Sequence, residues 1–166
     1  MRYLITAAAM PTTSSTAVIA TGTSLKTLLQ FKPVIPFKIV EWGCSFDGSA
    51  AATPGKVELL ETDVAATVTA FVNADLHKQD LAAVRFGDPT SSIITVGTSA
   101  SGYNASGEGS ITAVRLFDVQ LIAPTNQYVK QFPLGREPVI DAAKFARIRV
   151  LFGAGVNAYP YLVVEA

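Results

Sequence analysis

Hydrophobic and polar residues alternate along most of this chain with the two-residue period of β-strands. The pattern is clearest in residues 111–166, where four strand-like runs are separated by Pro, Gly and Asn. In AKFARIRVLFG, Ile148, Val150 and Phe152 fall on one side and Arg147 and Arg149 on the other. The two arginines are therefore expected at the surface or in an interface. Earlier in this block, Phe117, Val119 and Leu121 oppose Val114, Leu116 and Asp118. Apolar residues on both faces predict a strand near the middle of the architecture. Pro133 and Pro138 flank a bend, which makes the run from 128 to 133 short and places it at an edge.

The first half carries weaker versions of the same signal. Residues 16–23 (TAVIATGT) are rich in β-branched side chains and end at a glycine, as a short strand does. Residues 24–31 (SLKTLLQF) would also fit one helical face, but Pro33 and Pro36 favour an extended piece. In residues 36–46 (PFKIVEWGCSF), Val40, Trp42, Cys44 and Phe46 are expected to line one face of a long strand, with Trp42 at the centre of a core. Residues 56–62 and 67–72 predict two further strands, the first with Val57 and Leu59 opposite Glu58 and Leu60. Residues 1–15 read as an amino-terminal arm, either laid on a neighbouring subunit or frayed.

Residues 73–110 differ in kind. Asn73 or Asp75 could cap a short helix over 73–84, with Leu76, Leu81 and Val84 on its apolar side. A Ser/Thr/Gly-dominated stretch follows, in which only residues 92–96, with Ile93, Ile94 and Val96, predict a strand. The segment is expected to be a long loop excursion over the surface, where partner contacts tend to sit. Both flanks look incomplete alone, so residues 16–166 form a single domain. The sum is an all-β chain: a jelly-roll-like antiparallel β-sandwich of about eight strands with one long loop excursion.

Composition narrows the function. Charged residues make up 16% of the chain and the formal net charge is zero. That charge content is below the roughly 25% of ordinary soluble domains, so part of the surface is expected to be covered by sister subunits or partners. Zero net charge and scattered Lys and Arg argue against nucleic acid. No run reaches the roughly 18 apolar residues of a membrane-spanning helix. Cys44 is the sole cysteine, so the chain forms no internal disulfide; its place in an apolar row predicts a buried small hydrophobe.

Candidate chemistry is sparse. His77 is the only histidine and lies in a polar run without a nucleophile motif, so neither a hydrolytic triad nor a zinc site is expected. Glu58 and Glu61 are carboxylates of the right type for glycosidase work, but three apart on a strand they face opposite ways. Asp47, Glu41 and Asp118 would have to meet in space. Asp47-Gly48-Ser49, Gly87-Asp88 and Asn104 with Glu108 are oxygen-rich but lack the spacing of a calcium loop. No cofactor is expected. Tyr128, Phe132, Tyr159 and Tyr161 lie near strand ends, and together with Arg147 and Arg149 they form the expected interface set. If exposed as a row, the same aromatics would instead suit stacking on sugars.

Three stretches, KVELLETDVAAT, RLFDVQLIAPTNQYVKQFPLGREPVI and FARIRVLFGAGVNAYPYLVVEA, resemble the small β-sandwich head proteins of tailed bacteriophages. The likeness is one of style and order over residues 36–72 and 111–166, with Glu165 in the family's final glutamate place and Phe132 where a tryptophan often stands. The resemblance implies a capsid decoration, or cement, protein. It would be a homo-oligomer, a trimer in most such proteins, made in the host cytoplasm and placed on the outer surface of the virion. Its partner would be the major capsid protein, and it would have no catalytic residues. The alternative is a carbohydrate-binding sandwich module, which needs at least two exposed aromatics in a row.

Overall fold

In a computed structural model, which describes residues 1–80 and 93–166, two antiparallel sheets pack face to face as a β-sandwich. Sheet A has the order β10-β4-β13-β1-β7: β10 (Gln127–Gln131), β4 (Phe37–Phe46), β13 (Asn157–Glu165), β1 (Arg2–Thr6) and β7 (Leu76–Lys78). Two short strands, β2 (Ile19–Ala20) on β13 and β11 (Val139–Ile140) on β4, complete it. Sheet B has the order β6-β8-β3-β12-β5-β9: β6 (Thr67–Ala70), β8 (Gly102–Gly107), β3 (Lys26–Phe31), β12 (Phe145–Leu151), β5 (Gly55–Thr62) and β9 (Val114–Ile122). The chain crosses between sheets from β3 to β4, from β4 to β5 and from β9 to β10, so neighbours in sequence become opposite layers.

The core lies between the layers. Tyr3, Ile5, Phe37, Ile39, Trp42, Leu162 and Val164 enter it from sheet A, and Phe31, Val57, Leu59, Ile148 and Val150 from sheet B. Phe31 meets Phe37 edge-on at 5.3 Å, joining the sheets by the geometry aromatic quadrupoles prefer. Cys44 is buried as expected, and burial pushes its thiol pKa up.

Three expectations are corrected. First, residues 1–15 are not an arm throughout. Tyr3 and Ile5 alternate into the core, and β1 pairs with β13 on one side and β7 on the other. Only the stretch after Ala8 leaves the sheet, and it is tied back where Met10 N–H donates to Asp75 Oδ1 at 2.9 Å. Second, residues 73–80 form one 3-10 turn, Asn73–Asp75, and then β7, not the start of a longer helix. Asp75 serves that turn by accepting from Val72 N–H at 2.9 Å. Leu81 and Val84 lie outside the described residues, as does Ser92. Third, the excursion is not merely a surface loop: it supplies β7 to sheet A and β8 to the interior of sheet B, and Ile94 is buried in a bridge with Pro33.

The row Val40, Trp42, Cys44, Phe46 also breaks. Val163 pairs with Glu41 but Val164 pairs with Ile39, so Val40 is the extra residue of a β-bulge. The bulge shifts the phase, and Phe37 and Ile39 face inward before it while Trp42 and Cys44 do so after it. Val40 uses its carbonyl to accept from Phe132 N–H at 2.9 Å.

Candidate interaction surface

The six residues expected to form one interface fall in four places. Tyr128 points inward, its ring edge-on to Trp42 at 5.3 Å and its hydroxyl donating to Asp118 at 2.8 Å. Phe132 is half-buried beneath the Lys130 ammonium, 5.2 Å from the ring centre. Tyr159 and Tyr161 share the outer face of sheet A, where their hydroxyls donate at 2.6 Å to Thr16 Oγ1 and to Glu41 respectively. Burial and the Glu41 carboxylate both raise the Tyr161 phenol pKa. Tyr161 lies over Gly43: a Cβ there would come within 2.6 Å of the ring. Nearby, a notch of about 140 Å³ is lined by Tyr159, Tyr161, Gln127 and Val129.

Arg147 and Arg149 do share the outer face of sheet B, so the register read from the sequence holds. The expectation that both are surface residues does not. Arg147 is fully buried, because residues 63–66 and Glu108 are folded over it. Its Nη1 donates to Glu108 Oε2 at 2.9 Å and to the Glu108 carbonyl at 3.1 Å, and Nη2 donates to the Val64 carbonyl. Glu108 also accepts from the Thr27 hydroxyl at 2.6 Å and from Thr27 N–H. Burial lowers the Arg147 pKa and the Glu108 charge opposes that shift. Beside it, Gln30 accepts from Ala66 N–H at 2.8 Å and donates at 3.0 Å to the carbonyls of Ser99 and Ala100. Arg149 is half-buried and pairs with Glu58 at 2.9 Å.

The residues that sequence reading missed lie on the same sheet face, toward β9. Leu121 is 74% exposed, Leu116 54%, Val114 52%, Leu151 42% and Val119 40%. The pairing rows place them side by side: Leu121 and Leu151 flank Lys56, and Val119 follows Glu58 and Arg149. β9 is not central, as its two-faced pattern predicted. Among the described residues it is an edge strand hydrogen-bonded to β5 alone. The same two-faced pattern fits a central strand and an edge strand with exposed apolar side chains, and only the pairing separates them.

Asp118 sets how this edge sits. Its Oδ2 accepts from Trp42 Nε1 at 3.2 Å and from the Tyr128 hydroxyl, while Oδ1 accepts from Val119 N–H at 3.0 Å and Gln120 at 3.2 Å. Lys130 Nζ stands 3.5 Å away. One carboxylate thus joins β9 of sheet B to β4 and β10 of sheet A across the open side of the sandwich. Burial would raise the Asp118 pKa, but bonds from Tyr128, Gln120 and Trp42 and the Lys130 charge hold it below the usual carboxylate range. Burial and that carboxylate push the Tyr128 phenol up to about 12.

The other candidate groups are spoken for separately. Glu61 accepts a two-pronged pair from Arg115 at 3.1 and 2.7 Å, on the opposite face from Glu58, as expected. Asp47 accepts from Asn157, and Glu41 from Tyr161. His77 sits in β7 opposite Leu4. Among the described residues, no three of His, Cys, Asp and Glu converge as a metal site. Asp88 lies outside the described residues.

Fold and surface together define a class: a β-sandwich with one sheet face half roofed by its own chain and half bare and apolar. Comparison with protein-family models, with curated proteins and with solved structures finds no match in any of the three.

Proposed function

We propose that the chain is a structural subunit of a larger assembly, and that its role is the one the phage-head resemblance implies: decoration of the outer capsid surface. The observation that carries the reading is the bare stripe of Leu116, Val119, Leu121 and Leu151 on a charge-poor chain. Contiguous exposed apolar side chains on a soluble domain mark a surface that a partner covers. The Glu58–Arg149 pair beside the stripe is internally neutralised, so the region favours contact over charge-specific ligand binding. The test is twofold: solution mass by sedimentation velocity, and co-sedimentation with expanded heads of tailed phages. Self-association together with head binding supports the reading. A monomer that also fails to bind heads overturns it.

A second reading, a sugar-binding module, is favoured by one feature, the Tyr159–Tyr161 pair that lines the notch. At about 140 Å³ the notch is smaller than the roughly 300 Å³ at which small-molecule pockets begin. A sugar would therefore stack on the tyrosines and not enter. Glycan-array binding abolished by Tyr159→Ala and Tyr161→Ala supports this reading; retained binding in those variants, or none in the parent chain, removes it.

A further inference from the structure

Resting on that assembly reading, we propose that the open edge of β9 pairs antiparallel with the same edge of a second copy, about a two-fold axis passing between Phe117 and Asp118. The bulge in β9 fixes the register. Leu59 pairs with Asp118 and Leu60 with Leu116, which leaves Phe117 as the extra residue. Phe117 packs on the core and Asp118 reaches Trp42, so both point inward, as do Arg115 toward Glu61 and Gln120 toward Asp118. Val114, Leu116, Val119 and Leu121 point outward and are exposed. The order of faces then reads the same in both directions from the midpoint of Phe117 and Asp118.

That symmetry is selective. A bulge interrupts alternation, so an axis through Phe117 or Asp118 itself would set outward residues against inward ones along the strand, and an axis shifted by one whole residue would do so at the pair next to it. About this axis, Val114 falls opposite Leu121 of the second copy and Leu116 opposite its Val119. These are apolar cross-strand pairs of the kind that stabilise sheets. Arg115 falls opposite Gln120 and diagonal to Asp118, so opposite charges approach; the two Asp118 carboxylates also come close across the axis, each with Lys130 of its own copy 3.5 Å away. The Val119 N–H donates to Asp118 Oδ1 at 3.0 Å, which ties the strand's own backbone to the carboxylate next to the axis. A self-complementary patch of this kind closes as a dimer. One nine-residue edge is about 30 Å long. With its side chains it falls short of the about 800 Å² per partner of a standard interface, so the dimer is expected to dissociate on dilution.

The test is a register-specific cross-link between full-length chains. Copies carrying Leu116→Cys are mixed with copies carrying Val119→Cys under mild oxidation; Cys44 is buried and stays silent. Directly opposed strand residues have Cα atoms about 5.5 Å apart, within disulfide reach. Two copies of one variant hold their new cysteines about 10 Å apart along the strand, beyond it. A disulfide dimer in the mixture alone supports the proposal, and adding Leu121→Lys to both variants should slow its formation about tenfold. If the chain self-associates but the mixture cross-links no faster than the separate variants, this proposal falls while the assembly reading stands. If no cross-link forms and the chain stays monomeric at high concentration, the proposal also falls, and head binding alone then decides the assembly reading.

Discussion

The outer face of sheet B is two surfaces in one. Around Arg147, Gln30 and Leu60 it is roofed by residues 63–66, the 99–101 turn and Glu108, and among the described residues there the Arg147 Nε is the buried side-chain polar atom without a partner. Around Val119, Leu121 and Leu151 it is bare and apolar. The roofed half hides a cation and an amide, while the other half leaves leucines and a valine in water around Lys56 and the Glu58–Arg149 pair, the reverse of what solvent contact alone would select. The chain covers a charged residue with its own backbone while leaving leucines in water, and on the proposed assembly reading a second body covers those leucines.

The sharpest way to break this contrast is to empty the roofed half. Arg147→Ala removes the cation from a buried pair and leaves the Glu108 carboxylate and the Val64 carbonyl without their donor. Loss of one partner of a buried pair costs about 3–5 kcal/mol. Glu108 keeps some access to water, so the lower end is expected in urea unfolding. Arg147→Met with Glu108→Leu should recover most of that loss, because an apolar pair leaves no stranded charge. If Arg147→Ala costs nothing, the roof is not held by this network. Gln30→Ala is the smaller version. It strands Ala66 N–H and two carbonyls in a buried place, for an expected cost of about 2 kcal/mol by the same measurement.

At the boundary of the bare half, Asp118 gives a pH handle. Its folded pKa lies below the usual value, so its contribution is fully present above the unfolded carboxylate pKa of about 3.9. The contribution is lost as pH falls through the lower folded value. Asp118→Asn should therefore be less stable than the parent at neutral pH, and the gap between their urea midpoints should close as the pH drops below about 4. A gap that stays constant in acid would mean the Trp42–Tyr128–Asp118 link does not depend on charge. Asp63, held near a pKa of about 2 chiefly by the Thr112 hydroxyl and Ala113 N–H, titrates in the same direction but is common to both chains.

The sandwich itself was legible because its signal is local. Ile148, Val150 and Phe152 face in and Arg147 and Arg149 face out, as alternation requires. What covers Arg147 was not legible, since the roof arrives from Val64 and Glu108, distant in sequence and marked by no pattern. β1 was missed because MRYLITAAAM has only two strongly inward side chains, Tyr3 and Ile5, and takes its place from pairing with β13 at the far end of the chain. The interface set was assembled from aromatic and basic residue types, whereas Tyr128 spends its hydroxyl inside on Asp118. The edge place of β9 was not legible, since apolar residues on both faces fit a central strand equally well and only the pairing with β5 separates the two.

The smallest expected effect separates the two halves most directly. Leu121→Ser takes a side chain already 74% exposed and makes it polar. It breaks no hydrogen bond and opens no cavity, so folding stability should change by no more than about 0.5 kcal/mol. A buried leucine truncated in the same sheet, Leu59→Ala, should cost about 2–5 kcal/mol. On this expectation Leu121 adds no stability within one copy, and on the proposed reading its apolar side chain acts between copies or on a partner. Urea unfolding at low protein concentration measures the first term, and sedimentation at high concentration the second. A Leu121→Ser chain that unfolds like Leu59→Ala would place this residue in the core after all and end the distinction between the roofed and the bare half.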